Sequence, residues 1–281
     1  STVAYAWAYC MALESIAGEQ QVLAFLRPTA INAHRTYGGA MPMNAKARSA
    51  RARFAKPCAG GWLAYGHAPI EGSALVPVTY KPDVPRLSET GEPIKYERPA
   101  GTTARPYFPP LDRTTAERIA DRAGLALADD LTASRWDSWA AWCWLLKQPQ
   151  VELVVDEGEK KAASGCSAGW LTIGTAGIYG GCPRPKDATG RSWGAPALVA
   201  ELAWLKTIRP AGAPLVIAFD ASNKPRGIAD IRDARRRLGR LLAADGHAVY
   251  VRELVQPEGA TGFVKGTDDL LVHGGAEALA A

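Results

Sequence analysis

The chain has 281 residues, 47% of them hydrophobic and 22% charged, with a net charge of +5. That length supports one large or two modest domains with a sizeable core, and the composition is ordinary for a soluble globular protein. No apolar run reaches the roughly 18 residues of a membrane span, and the first residues lack the basic start of a signal peptide. The expectation is therefore a cytoplasmic protein with no membrane partner, while the mild positive charge permits nucleic-acid binding without establishing it.

In chain order, residues 1–30 read as helical: Ala, Leu, Met and aromatic residues dominate up to Pro28, with a break at Gly18. The opening residue is Ser1 rather than Met, as expected of a trimmed chain or a piece of a longer protein. Residues 31–60 are basic and turn-rich, with His34, Arg35, Lys46, Arg48, Arg51, Arg53 and Lys56. They read as a solvated loop or, alternatively, as a phosphate-contacting arm. Residues 61–110 look β-rich and irregular, with strand candidates at 62–65 and 74–78 interrupted by prolines. A helical connector covers 111–150. There Trp136, Trp139 and Trp142 recur at helical spacing, with Trp144 beside them. Such a stripe is core packing first, with base stacking as the rival reading.

From residue 151 strands and helices alternate. Strands are expected at 151–155, 170–174, 215–219 and 248–253, and helices at 159–166, 196–206 and 227–245. Crossovers of this length imply a mostly parallel sheet flanked by helices. The fold class is thus α/β for 151–281, preceded by a smaller α+β region over 1–110 that could contact a template. The arginines of the last helix (Arg232, Arg235, Arg236, Arg237, Arg240) read as a solvated outer face, with nucleic-acid tracking as the alternative.

Two carboxylates follow buried strands: Glu157 after 151–155 and Asp220 after 215–219. Open α/β sheets place ligands at such strand ends. Gly158 allows a tight turn there. Lys160 and Lys161 stand in the first helical turn, where cations are disfavoured unless an anion docks. Asp220 is either a magnesium ligand or the cap of the next turn. Lys265-Gly266-Thr267-Asp268-Asp269 supplies two more acids that could reach the same rim, unless Thr267 simply caps a helix whose first turn favours them. The pattern suggests a divalent-metal site handling phosphate, on nucleic acid.

Other chemistries find little support. The cysteines (Cys10, Cys58, Cys143, Cys166 and Cys182) are odd in number and contain no C-x-x-C pair, which fits reduced thiols better than zinc or disulfides. His34, His67, His247 and His273 show no spacing for a metal site or a triad, and no P-loop or G-x-S-x-G elbow occurs.

The ordered set Glu157-Gly158-Glu159-Lys160-Lys161-Ala162, Gly169-Trp170, Gly174-Thr175-Ala176-Gly177, Phe219-Asp220 and Lys265-Gly266-Thr267-Asp268-Asp269 resembles the Toprim-like domain family of phage and plasmid replication proteins, long labelled a domain of unknown function. Upstream, residues 81–86, 91–97 and 107–110 are similar to that family too, so the resemblance spans roughly 60–281. It implies a Toprim fold, shared with primases, topoisomerases and some nucleases. There Glu157 would serve in acid–base chemistry and Asp220 would open an Asp-x-Asp magnesium site. Ser222 stands where the second acid would be, which puts two-metal chemistry in question, and Asp268 or Asp269 would have to compensate.

The leading expectation is a primase-type DNA replication module performing Mg-dependent nucleotidyl transfer on a single-stranded DNA or RNA template. Glu157 would be catalytic. Asp220, Asp268 and Asp269 would hold the metal, and Lys160, Lys161 and Lys265 would contact phosphates. Nucleotides are its other partners, and a fused or associated helicase is compatible with that role. The alternatives are a Toprim metal-dependent nuclease and a catalytically degenerate nucleic-acid-binding module.

Overall fold

The computed structural model describes residues 12–15, 61–72, 74–88, 90–98, 105–133, 135–185, 187, 191–256 and 262–274. The basic stretch at 31–60 and the glycine-rich loop around 258–261 lie outside these.

The described chain forms two compact units. The smaller is built on a three-stranded sheet in the order β1-β2-β3, with β1 at Ala12–Ser15, β2 at Gly61–His67 and β3 at Leu75–Pro82. The first strand runs antiparallel to the second, Ala12 opposite Tyr65 and Ser15 opposite Trp62. This corrects the helical expectation for residues 1–30 at the described positions. Ala and Leu favour helix, but β2 offers a row of backbone partners, and pairing overrides a weak propensity. Trp62, Leu63, Val78 and Tyr80 are buried. Tyr80 exchanges two backbone hydrogen bonds with Glu97, whose carboxylate pairs with Arg86.

The larger unit holds seven helices among the described residues. Helices α1 (Arg113–Arg122), α2 (Asp129–Ala133) and α3 (Ser138–Lys147) come first. Asp112 caps α1 by accepting from the Thr115 N–H at 2.7 Å, and Asp137 caps α3 through Trp139 and Ala140. Strands and helices then alternate: β4 (Leu153–Glu157), α4 (Glu159–Ser167), β5 (Leu171–Thr175), α5 (Ala200–Ile208), β6 (Pro214–Ala218), α6 (Pro225–Ala244), β7 (Ala248–Val251) and α7 (Thr267–Gly274). The four strands form one parallel sheet ordered β5-β4-β6-β7. The α/β expectation holds, with boundaries displaced by up to four residues. The first strand of the sheet ends at Glu157 rather than Val155, because pairing with β5 continues to Glu157 opposite Thr175.

Alternate residues of each strand face opposite layers, as the pleat requires. Leu153, Val155, Ile173, Leu215 and Ile217 enter the main core with Trp142, Leu145, Leu202, Leu205, Leu238 and Leu242. Val154, Val216 and Ala218 face the other way, where Trp170 covers them. The tryptophan stripe is core: Trp142 is fully buried and donates to the Pro109 carbonyl at 2.7 Å, while Trp139 stacks on Trp204.

Candidate functional site

The strand order creates a switch point. The chain leaves β4 toward β5 on one side, then returns past it to β6 on the other. Adjacent parallel strands with oppositely directed crossovers open a crevice at their C-terminal ends. Glu157 ends β4, and Asp220 follows β6 by two residues. Both carboxylates therefore reach the same rim.

A third segment closes over it. The Ala221 N–H donates to the Lys265 carbonyl at 2.7 Å, drawing residues 265–268 against the end of β6. The crossing is tight at Gly266: a Cβ there would stand 2.2 Å from Lys161 Cε and 2.8 Å from Asp220 Oδ1, so those side chains would have to shift. Opposite, Gly158 adopts φ 94°, a left-handed conformation suited to glycine, and turns the chain from β4 into α4.

Charges interlock at the rim. Asp220 is 4% exposed, and its Oδ1 and Oδ2 lie 3.1 Å from Lys161 Nζ and 3.3 Å from Lys265 Nζ. Lys161 Nζ also sits 3.9 Å from Asp268 Oδ1. Burial by itself would lower the Lys161 ammonium, but Asp220, Asp268 and Asp156 override it and hold the group charged, above its ordinary range. Glu157 is pushed up, first by burial and then by the negative charge of Asp220. The charge of Asp220 thus acts on Glu157 across the rim.

Asp156, which the sequence reading passed over, is the deepest member. It is completely buried, and burial raises its carboxyl to about 7. Its Oδ1 accepts from the Glu157 N–H at 2.7 Å and its Oδ2 accepts from the Thr267 hydroxyl. Helix capping is one of the two sequence readings of Thr267; its side chain ties α7 to β4 instead. The available signal was an acid inside an apolar strand, Val154-Val155-Asp156, which is costly without partners. Arg235 is a second correction. It is turned inward rather than solvated, and its guanidinium donates to the Phe219 carbonyl at 2.9 Å, immediately before Asp220. Burial lowers its pKa, opposed by Glu253 and Asp156.

The other expected residues divide. Asp268 joins through Lys161, whereas Asp269 is exposed and accepts from the Lys265 N–H at 3.2 Å, a helix-start role. Lys160 lies in the first turn of α4, half-buried. Ser222 accepts from the Lys224 N–H at 3.2 Å and so belongs to the turn.

Hard oxygen donors suit a magnesium ion in kind. In the arrangement seen they do not yet enclose one: among the described residues no three His, Cys, Asp or Glu side chains converge on a metal position. Lys161 and Lys265 occupy the oxygens of Asp220 that a cation would need.

Residues 141–278 match a family model described as a domain of unknown function, DUF3854. An uncharacterized protein of Picosynechococcus sp. strain PCC 7002 is 32% identical over 222 residues, covering 78% of this chain and 21% of that protein. The chain thus spans about a fifth of that relative's length. Among solved structures, the Aquifex aeolicus primase (zinc-binding and RNA polymerase domains) aligns over 99% of this chain and 54% of that one, at 12% identity and a TM-score of 0.40. No helix among the described residues is long and apolar enough to cross a membrane.

Proposed function

We propose that the chain is a Toprim-type, primase-like module of a replication protein, which synthesises a primer on a single-stranded template by magnesium-dependent nucleotidyl transfer. One observation carries this reading. Glu157 and Asp220 stand at the C-terminal ends of two adjacent parallel strands, at the switch point, where burial and then the negative charge of Asp220 push the Glu157 carboxyl up. The resemblance of the motif order to Toprim replication proteins supplies the reaction class.

In this reading Glu157 takes the proton of the attacking 3′-hydroxyl. A carboxylate pushed upward by burial and a neighbouring acid is better matched to proton transfer near neutral pH than an ordinary one. Asp220 and Asp268 would hold magnesium, which supplies charge stabilisation to the phosphoryl group when bound. Lys161 and Lys265 then exchange a carboxylate for nucleotide phosphate, which keeps both ammonium groups paired. Asp156 and Thr267 position the rim and do not touch substrate. Arg235 holds the backbone carbonyl that precedes Asp220.

The test is primer synthesis by the chain on single-stranded DNA with labelled nucleotides and magnesium. Wild type is expected to extend a product, and Glu157→Gln to lose at least a hundredfold in rate, in line with removal of a general base. Equal incorporation by both overturns the assignment. Product shortening without nucleotides would identify a nuclease instead.

A second reading is favoured by a specific observation. Both oxygens of Asp220 already have ammonium partners, and Ser222 offers no carboxylate. A module closed in this way binds nucleic acid without chemistry. Calorimetry separates the two: a magnesium heat that vanishes in Asp220→Asn supports the enzyme, and its absence in wild type supports the binder.

A further inference from the structure

Helix α6 carries positive charge in excess of anything that balances it. Its acids are already engaged, Asp230 facing Arg226 at 3.9 Å and Asp233 holding Arg237 at 3.0 Å. Arg232, Arg236 and Arg240 follow one another at four-residue intervals and are exposed. Among the described residues none of the three has a carboxylate partner. Like charges at this spacing destabilise a helix, so the stripe is a standing demand for anions.

The same helix forms one wall of a cleft of about 370 Å³. Arg236, Arg237, Arg240, Asp233 and Leu241 line it from α6, and Arg184, Ala195 and Pro196 line it from the loop after β5. Four guanidinium groups thus face one aspartate, and that aspartate is held by Arg237. The wall is organised. Arg237 lies over the Tyr179 ring at 4.4 Å, and the Tyr179 hydroxyl donates to Asp233 at 3.3 Å. The opposite loop is pinned by the Trp193 N–H donating to the Pro185 carbonyl at 2.9 Å. Trp193, two residues before Ala195, is 61% exposed.

We infer that this cleft binds the phosphate backbone of a single-stranded nucleic acid, with Trp193 as a platform for an unpaired base. Planar guanidinium forks match phosphate oxygens. Residues four apart on a helix are separated by about 6 Å along its axis, comparable with successive phosphates of an extended strand. A basic groove beside an exposed aromatic is the usual composition of a surface for single strands. An acidic protein partner would satisfy the arginines but leave Trp193 without a role. The site is separate from the acidic rim and requires no catalysis, so it stands or falls independently of primer synthesis.

The experiment is fluorescence anisotropy of a labelled oligothymidylate with the 281-residue chain, without magnesium or nucleotides, across a salt series. Arg236→Ala with Arg240→Ala is expected to weaken binding about tenfold and to reduce the slope of log affinity against log salt by about 1.4. Trp193→Ala is expected to weaken binding at least fivefold with the slope unchanged. Arg236→Lys with Arg240→Lys keeps the charge, and is expected to retain most of the slope. All these side chains are exposed, and circular dichroism checks that the variants fold. Unchanged affinity and slope in the double alanine variant overturns the proposal. Displacement of the strand by polyglutamate as efficiently as by unlabelled oligothymidylate overturns it as well.

Discussion

At the scale of single residues, the rim rests on one fully buried acid, Asp156, whose carboxyl burial raises to about 7. Asp156 has a folded pKa near 7 against an ordinary value near 3.8, so between these pH values the folded state binds a proton that the unfolded state lacks. Stability therefore falls as pH rises from about 4 to about 7 and levels off above. Thermal melts of wild type at pH 5 and pH 8 are expected to show the higher midpoint at pH 5. Asp156→Asn, which mimics the neutral acid, should remove most of that difference, and an undiminished difference would mean that another group titrates. Lys161 makes the complementary case. Replacing it with Ala leaves Asp220 buried with Lys265 as its remaining ion-pair partner, at a cost of about 2 kcal/mol in urea unfolding. If Asp220 accepts magnesium, millimolar magnesium restores stability to Lys161→Ala more than to wild type, since a ligand of the folded state stabilises it by mass action.

At the scale of elements, close approach decides more than propensity. Gly174 sits in β5 and exchanges backbone hydrogen bonds of 2.7 and 2.9 Å with Tyr107. A Cβ there would meet the Gly158 carbonyl oxygen at 2.4 Å. Gly174→Ala is accordingly expected to cost about 2 kcal/mol or more by chemical denaturation, because backbone rather than a flexible side chain must move. It should also disturb the turn that carries Glu157, so if the proposed primer synthesis is this chain's activity, it falls further than stability alone predicts. Although Pro225, which reads as part of the preceding turn, is its first residue, the α6 helix was legible from the apolar face of Ile228, Ile231, Leu238, Leu241 and Leu242 and from the stop at Gly246. The strand at Ala12–Ser15 was not, because its helix-favouring residues are held extended by β2, roughly fifty positions away. The inward turn of Arg235 was equally hidden. It shares a helix with exposed arginines, and only the position of the Phe219 carbonyl distinguishes it.

At the scale of the larger unit, the two faces of the parallel sheet are unequally covered. One face carries the main core, centred on Trp142 with Phe108 and packed against α1, α3, α5 and α6. The other carries the small cluster of Val154, Val216 and Ala218. Trp142→Ala should thus destabilise by about 3–5 kcal/mol, the loss of a large buried side chain plus its cavity. The corresponding truncation of Val216 to Ala should cost less than half of that, as urea midpoints will show. The α/β class and the strand-end location of Glu157 and Asp220 could be read from the amino-acid order alone. Apolar runs, crossover lengths and turn residues are local signals, and a parallel sheet with its site at the C-terminal rim follows from them. Which acids share a field, which lysines hold them and which arginines face solvent were decided only in three dimensions. Charge pairing depends on distances of about 3–4 Å between segments up to about 110 positions apart, and no periodicity in a chain encodes those distances.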